Sequence, residues 1–286
     1  MLISIVTPTF NRGKLLQRCY DSLCNQTYKN FEWIIVDDGS TDDTRERVEN
    51  FINEKKIEIK YFFQKNQGKH IAHNKGVLES NGQLFICLDS DDYLPQDSLI
   101  KVKRCWDELD SNVIGIIGKR GNDKGKPLCS EFPPNIKLVK MFDLINKYNF
   151  KGDTALFFRT DILKEKLFPK FKNEKFLSET ALYFQLDDFG SMYLMNDILY
   201  IGEYQNDGLT SKFHQLLKEN PIGASFNYYI SACMCNNIKN KIKFYILMLV
   251  YWNKNCNYYF KIKIYILFLL PIAKMYKIFR INKLIR

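Results

Sequence analysis

Leu84-Phe85-Ile86-Cys87-Leu88-Asp89-Ser90-Asp91-Asp92 sets a short apolar run directly against a group of carboxylates. The run has the length of a buried strand, which puts the carboxylates at the strand's carboxyl end. Carboxylates crowded there repel one another and lose solvation, so they need a cation or an array of hydrogen-bond donors. Oxygen ligands suit hard cations such as Mg²⁺ or Mn²⁺, which are commonly held by one or two protein carboxylates plus substrate phosphates. The expectation is a divalent metal and a nucleotide-diphosphate substrate. The alternative is a solvated Asp-rich turn that caps a helix starting near Pro95.

Outward from this stretch, residues 1–92 alternate apolar runs with amphipathic segments, as in βαβ units. Strands are expected at 2–7, 31–36, 57–63 and 84–89. Leu15, Cys19 and Leu23, widened by Leu16 and Tyr20, recur at helical spacing between the first two. Ser40 and Asp43 have the spacing of a capping box for the next helix, with Val48, Phe51 and Ile52 facing inward. A third helix is expected over roughly 70–80, and Leu99, Val102, Trp106 and Leu109 form the apolar face of a fourth. Ligands of open α/β sheets collect beyond the strand carboxyl ends. Thr7-Pro8-Thr9, Asp37-Asp38-Gly39 and Asp89 to Asp92 each follow a strand, so all three should meet in one crevice. Further strands are expected at 113–118, 154–159, 191–195 and 198–204, with a Gly/Lys/Pro-rich loop at 118–135 and a helical stretch from about 175. The fold class is α/β, a Rossmann-like, mixed but mostly parallel sheet flanked by helices.

The chain has 286 residues and a formal net charge of +10. No acidic residue follows Glu219 while eleven basic ones do, so residues 1–219 are near neutral and the excess sits in the tail. Composition shifts near 238 toward Lys, Ile, Tyr, Phe and Leu. The eight cysteines include no C-x-x-C pair, and the histidines lack zinc-site spacing, so reduced thiols are expected. Met1 runs straight into a strand-like segment, so no signal peptide is expected and the protein is assigned to the cytosol. A nicotinamide oxidoreductase would need G-x-G-x-x-G after the first strand, and a P-loop NTPase would need G-x-x-x-x-G-K-[ST]. Neither pattern is present.

Val6-Thr7-Pro8-Thr9-Phe10-Asn11-Arg12, Gln26-Thr27-Tyr28, Phe31 to Asp42 and Leu88 to Asp92 together resemble the family 2 glycosyltransferases of the GT-A fold, of the bacterial surface-polysaccharide type. The resemblance is strong over residues 1–110 and looser to about 205. It implies a nucleotide-diphospho-sugar donor, placed against Pro8, Thr9, Asn11, Asp38, Gly68, Lys69, Asn74, Asp89 and Ser90. By the same resemblance Asp91 coordinates Mn²⁺ or Mg²⁺, Asp89 touches the ribose or the metal shell, and Asp92 braces the loop. Asp38 would accept the N3–H of uracil, which cytosine lacks; the other reading is a turn carboxylate bonded to the following amides. Lys69 would offset diphosphate charge, or else be an ordinary helix-start lysine.

A base must take the acceptor's proton. The resemblance implies an acidic residue opening a late helix, often followed by Asp. Glu179 fits in Leu177-Ser178-Glu179-Thr180, although Thr180 replaces the Asp, and Asp153 is the second candidate. A Q-x-x-R-W motif is lacking, which argues for one sugar per encounter. The expected domains are 1–210, catalytic, divided into a nucleotide-sugar half at 1–110 and an acceptor-side half at 111–210, and a helical extension at 211–286. Within the extension, 239–286 is expected to lie on the inner face of the cytoplasmic membrane, near a glycan or lipid-linked acceptor. The longest purely apolar stretch, Ile264 to Ala273, is too short to span a bilayer. The competing reading packs these runs on the catalytic domain or in a homodimer. The alternatives are a sugar-phosphate nucleotidyltransferase and a nucleic-acid-binding protein, the second of which the aliphatic tail argues against.

Overall fold

The structure is a computed structural model and describes residues 1–202, 211–260 and 263–284. It divides into two compact units, residues 1–167 with 186–204, and residues 168–185 with 205–286.

The first unit is built on one eight-stranded sheet. Its N-terminal part contains β1 (Ile3–Thr9), α1 (Leu16–Cys24), β2 (Phe31–Asp37), α2 (Thr44–Glu54), β3 (Ile59–Phe63), α3 (Lys69–Glu79), β4 (Leu84–Cys87) and α4 (Ser98–Asp107). There follow β5 (Val113–Gly121), β6 (Leu138–Val139), α5 (Met141–Asn146), β7 (Thr154–Arg159), α6 (Thr160–Glu165) and, beyond a segment of the second unit that carries α7 (Thr180–Leu186), β8 (Ser191–Ile201). Strand order is β3-β2-β1-β4-β7-β5-β8-β6. β3, β2, β1 and β4 are mutually parallel; β7 runs antiparallel between β4 and β5, and β6 is an antiparallel edge on β8.

β1 and β2 are buried along their whole length, and two of their buried polar side chains pair across the strands, the Ser4 hydroxyl donating to Glu32 Oε1 at 2.6 Å. Beneath them Leu16, Cys19, Tyr20 and Leu23 of α1 and Val48 and Phe51 of α2 form the core with Trp33. Tyr20 stacks on Phe51 at 4.2 Å, and the Trp33 indole donates to Thr7 Oγ1 at 2.9 Å, so the one polar atom of the largest core side chain is satisfied. Leu15 and Ile52, expected on the inward faces, are instead exposed, each lying at the margin of its helix's stripe.

Three local expectations are corrected. α2 starts at Thr44, and Ser40 does not cap it: the Ser40 N–H donates to Asp37 Oδ1, its hydroxyl accepts from the Asn11 N–H, and Asp42 takes the Thr44 N–H and hydroxyl. The strands expected at 191–195 and 198–204 are one strand, β8, whose pairing with β5 continues through register shifts. Residues 203–204 of that expectation lie outside the described residues. β5 extends to Gly121, into the expected loop, and the short elements β6, α5 and α6 were not anticipated.

The second unit contains α8 (Phe213–Glu219), α9 (Pro221–Met234), α10 (Ile238–Tyr251), two 3-10 turns at Lys254–Tyr258 and Ile264–Leu269, and α11 (Leu270–Leu284). Residues 168–185, expected in the acceptor-side half, cluster with these helices. No helix among the described residues is long and apolar enough to cross a membrane.

Candidate active site

β1, β2 and β4 are parallel neighbours, so the loops that leave their carboxyl ends emerge side by side. The register pairs Thr9 with Asp37, and the Asp38 N–H donates to the Thr9 carbonyl at 2.8 Å. Asn11, at φ 51, ties the first loop to the second: its N–H meets Ser40 Oγ, and its side-chain oxygen accepts from the Thr41 N–H at 2.7 Å. The Gly13 N–H adds a bond to Asp42. Asn11, expected against the donor, therefore also clasps two of the crevice loops. Pro8 and Thr9 are both buried, and the Thr9 hydroxyl meets no hydrogen-bond partner among the described residues.

Asp38 is buried and its carboxylate accepts three donors: Gln64 Nε2 at 2.7 Å, the Gln67 N–H at 2.9 Å and the Gly68 N–H at 2.7 Å. It fastens the β3–α3 loop, where Gly68 adopts φ +97, a conformation a side chain would strain. Asp37 serves its own turn through Ser40 and accepts the Tyr61 hydroxyl at 2.7 Å. α3 then starts at Lys69, with Asn74 half-buried on it, and the Lys69 ammonium lies 2.7 Å from Asp89 Oδ1.

At the end of β4, oxygens of Asp89, Asp91 and Asp92 lie within 4.8 Å of one another. Each carboxylate meets a different cation. Asp89 meets Lys69, Asp91 accepts from Arg12 at 2.7 Å, and Asp92 takes Arg120 at 2.9 Å and 3.1 Å. Tyr200 completes the loop by accepting the Asp89 N–H at 2.9 Å and donating to Asp92 Oδ2 at 2.8 Å. Burial and the neighbouring Asp89 charge push the Asp92 carboxyl up to about 7 despite Arg120. Burial also opposes ionisation of Asp89, but Lys69, Arg120 and Arg12 together outweigh it and hold that group below its ordinary value. Asp92 is fully buried and committed to Arg120 and Tyr200, whereas Asp89 and Asp91 retain exposure to the crevice. Ser90 is buried between them in sequence. Two half-exposed carboxylates backed by a third form an all-oxygen donor set, and such a set fits Mg²⁺ or Mn²⁺.

Arg120 and Tyr200 were not singled out from the sequence. They face each other in the β5–β8 register, and an Arg closing the strand-like run Ile116-Ile117-Gly118-Lys119-Arg120 was the one available signal. Arg120 Nη1 also lies 3.6 Å from Asp153 Oδ2, so this second base candidate stands beside a guanidinium. Glu179 immediately precedes α7 in the second unit and is exposed.

The model of the family described as Glycosyl transferase family 2 matches residues 4–166, more than half of the chain. The chain belongs to glycosyl transferase family 2. Among curated relatives of this family, an uncharacterized glycosyltransferase of Haemophilus influenzae is 40% identical over 179 residues, 60% of this chain and 68% of that protein. The GalNAc(5)-diNAcBac-PP-undecaprenol beta-1,3-glucosyltransferase of Campylobacter jejuni is 32% identical over 170 residues, 58% of this chain and 54% of that enzyme. This chain thus spans about half the length of that relative. Of solved structures, S. aureus TarS 1–349 in complex with UDP-GlcNAc aligns with a TM-score of 0.64 at 18% identity, covering 96% of this chain and 79% of that one. A mannosyltransferase from Pyrobaculum calidifontis in complex with GDP-Man and Mn²⁺ aligns with a TM-score of 0.57 at 15% identity, covering 96% and 73%. At these identities the likeness establishes the fold, which is GT-A, as the family resemblance led one to expect.

Proposed function

We propose that the chain is an inverting, metal-dependent glycosyltransferase that moves one sugar from a UDP-sugar to a hydroxyl of a glycan or lipid-linked glycan in surface-polysaccharide assembly. The observation that carries this is the cluster of Asp89, Asp91 and Asp92 at the end of β4, with Arg12 and Lys69 against it. A Mn²⁺ or Mg²⁺ held by Asp91 and Asp89 would neutralise charge on the departing nucleoside diphosphate. Arg12 and Lys69 bring two further cations to the same place. Asp92, held by Arg120 and Tyr200, braces the loop. With three donors on its carboxylate, Asp38 keeps one lone-pair direction, suited to a uracil N3–H, a donor cytosine lacks at that position. Among the described residues the buried Thr9 hydroxyl has no partner, which favours a polar ligand at the end of β1.

Glu179 is the proposed base, taking the acceptor's proton in a single displacement that inverts the anomeric carbon. Asp153 is disfavoured because its carboxylate is already paired with the Arg120 guanidinium, 3.6 Å away. TarS binds UDP-GlcNAc, and the Campylobacter relative is named for an undecaprenol-linked substrate; both support a UDP-sugar and a lipid-linked acceptor here. The basic, partly apolar C-terminal helices would hold the enzyme on the inner leaflet where such an acceptor resides. Incubation with a panel of nucleotide-sugars and lipid-linked acceptors tests the reaction. Release of UDP is expected, and release of pyrophosphate would make the protein a nucleotidyltransferase instead.

A further inference from the structure

The residues around Glu179 are bonded to α9. The Thr180 hydroxyl donates to Asn227 Oδ1 at 2.8 Å, and the Ser178 hydroxyl lies 2.9 Å from the Thr180 oxygen. Because the Thr180 proton goes to Asn227, Ser178 is the donor of the second bond, and a relay Ser178–Thr180–Asn227 straddles Glu179.

A reciprocal clasp lies just upstream. Glu174 is buried, and its two oxygens accept the Ile222 N–H at 2.8 Å and the Gly223 N–H at 2.7 Å, in the first turn of α9. Those amides have no partner inside their own helix, and the buried carboxylate would be costly without them. In return Asn220, at the N-cap of α9, accepts the Lys175 N–H at 2.9 Å and the Phe176 N–H at 3.1 Å. The approach is close enough that a Cβ on Gly223 would stand 2.8 Å from the Phe176 carbonyl oxygen and 3.3 Å from Glu174 Oε2. Further upstream, Phe171 packs edge-on against Phe226 of α9 and Tyr259, whose hydroxyl takes the Lys172 N–H at 2.9 Å.

We infer that α9 is the mount of the catalytic base, with Thr180 and Asn227 as positioning residues for Glu179 and Glu174 as the anchor of the segment. The inference rests on the reading of Glu179 as base. It also gives a role to Thr180, which stands where the family resemblance leads one to expect Asp: the hydroxyl holds α9.

Thr180→Val keeps the shape and removes the donor. A misplaced catalytic group costs on the order of 10²-fold when shifted by about 1 Å, so kcat should fall about 10- to 100-fold. The donor KM and UDP affinity should stay at parental values, and Thr180→Ser should restore kcat. Asn227→Ala should reproduce the loss. In a Glu179→Gln background, Thr180→Val should add nothing, because the two residues act through one group. Parental kcat in Thr180→Val, or losses that multiply with Glu179→Gln, would overturn the positioning role. Parental kcat in Glu179→Gln alongside a loss in Thr180→Val would overturn both readings, since the effect would then not pass through Glu179. Retained UDP affinity in each variant reports an intact nucleotide site.

Discussion

Tyr200 and Asp92, 108 residues apart, are joined by a 2.8 Å hydrogen bond in which the buried phenol donates to a buried carboxylate. The same oxygen accepts the Asp89 N–H, so one hydroxyl fixes both ends of the Asp89 to Asp92 turn. Tyr200→Phe leaves the Asp89 amide without its partner and Asp92 Oδ2 with Arg120 alone. Leaving a buried group unsatisfied costs about 1–3 kcal/mol, so the urea midpoint should drop accordingly. Activity should fall further than global stability does, because the turn carries the proposed metal ligands. A variant with parental midpoint and parental kcat would show that the turn does not need the phenol.

Asp91→Asn removes a charge and a ligand while keeping the shape. Turnover should drop by orders of magnitude with the fold intact, and EDTA should do the same to the parent, with Mn²⁺ or Mg²⁺ restoring it. A second readout is direct: Mn²⁺ binding followed by electron paramagnetic resonance should weaken in the variant. Full activity in chelator would remove the metal from the proposal.

The strand-end motifs were legible because each is local: an apolar run followed within a few residues by polar turn chemistry specifies both the strand and what stands at its end. Thr9, Asp38 and Asp89 to Asp92 are brought together by β1, β2 and β4, and parallel pairing alone predicts that convergence. Arg120 and Tyr200 were not legible, because their meeting depends on the β5–β8 register, including its shifts, and no local pattern encodes it. The Ser40 capping box failed for a related reason. Ser40 and Asp43 had the right spacing, but the hydroxyl was claimed by Asn11, 29 residues away. The Thr180–Asn227 bond is hidden in the same way, since it joins segments 47 residues apart.

His70 and His73 are buried on α3, and burial pulls them down to about 4 and about 3. Unfolded imidazoles titrate near ~6.5. Below that pH the unfolded chain takes up protons that the folded one refuses, so the stability these residues support is complete above about 6.5 and is lost as pH falls toward 4. The raised carboxyls of Asp92, about 7, and Asp187, about 6, act in the opposite sense, so total stability is a poor reporter. Comparison with His73→Leu isolates the effect. At pH 5.5, one unit below the free value, one buried neutral His costs about 1.4 kcal/mol, so the variant should gain that much on the parent between pH 7.5 and 5.5. Parallel stability curves over that range would mean that His73 takes up its proton in the folded state.

The C-terminal helices offer a surface that a membrane would cover. Ile272, Met275 and Tyr276 follow one another at helical spacing on α11, exposed by 51%, 59% and 43%, and Phe268 just before them is 82% exposed. Exposed Lys263, Lys274 and Lys277 accompany them, and no acidic residue follows Glu219. Exposed aromatic and aliphatic side chains whose charged neighbours along the chain are all cationic match the boundary of an anionic leaflet, where each lysine adds about 1 kcal/mol. Deleting the tail would be a poor test, because α10 packs along α9 and Ser225 of α9 donates to the Met248 carbonyl at 3.1 Å. Substituting Phe268, Ile272 and Met275 together by Ser leaves that packing alone. The triple variant should lose co-sedimentation with phosphatidylglycerol vesicles while its UDP affinity stays parental, and high salt should weaken the parent's binding. Undiminished sedimentation would refute the anchor. Should the parent prove dimeric and the triple variant monomeric, with vesicle binding absent from both, the apolar face belongs to a homodimer.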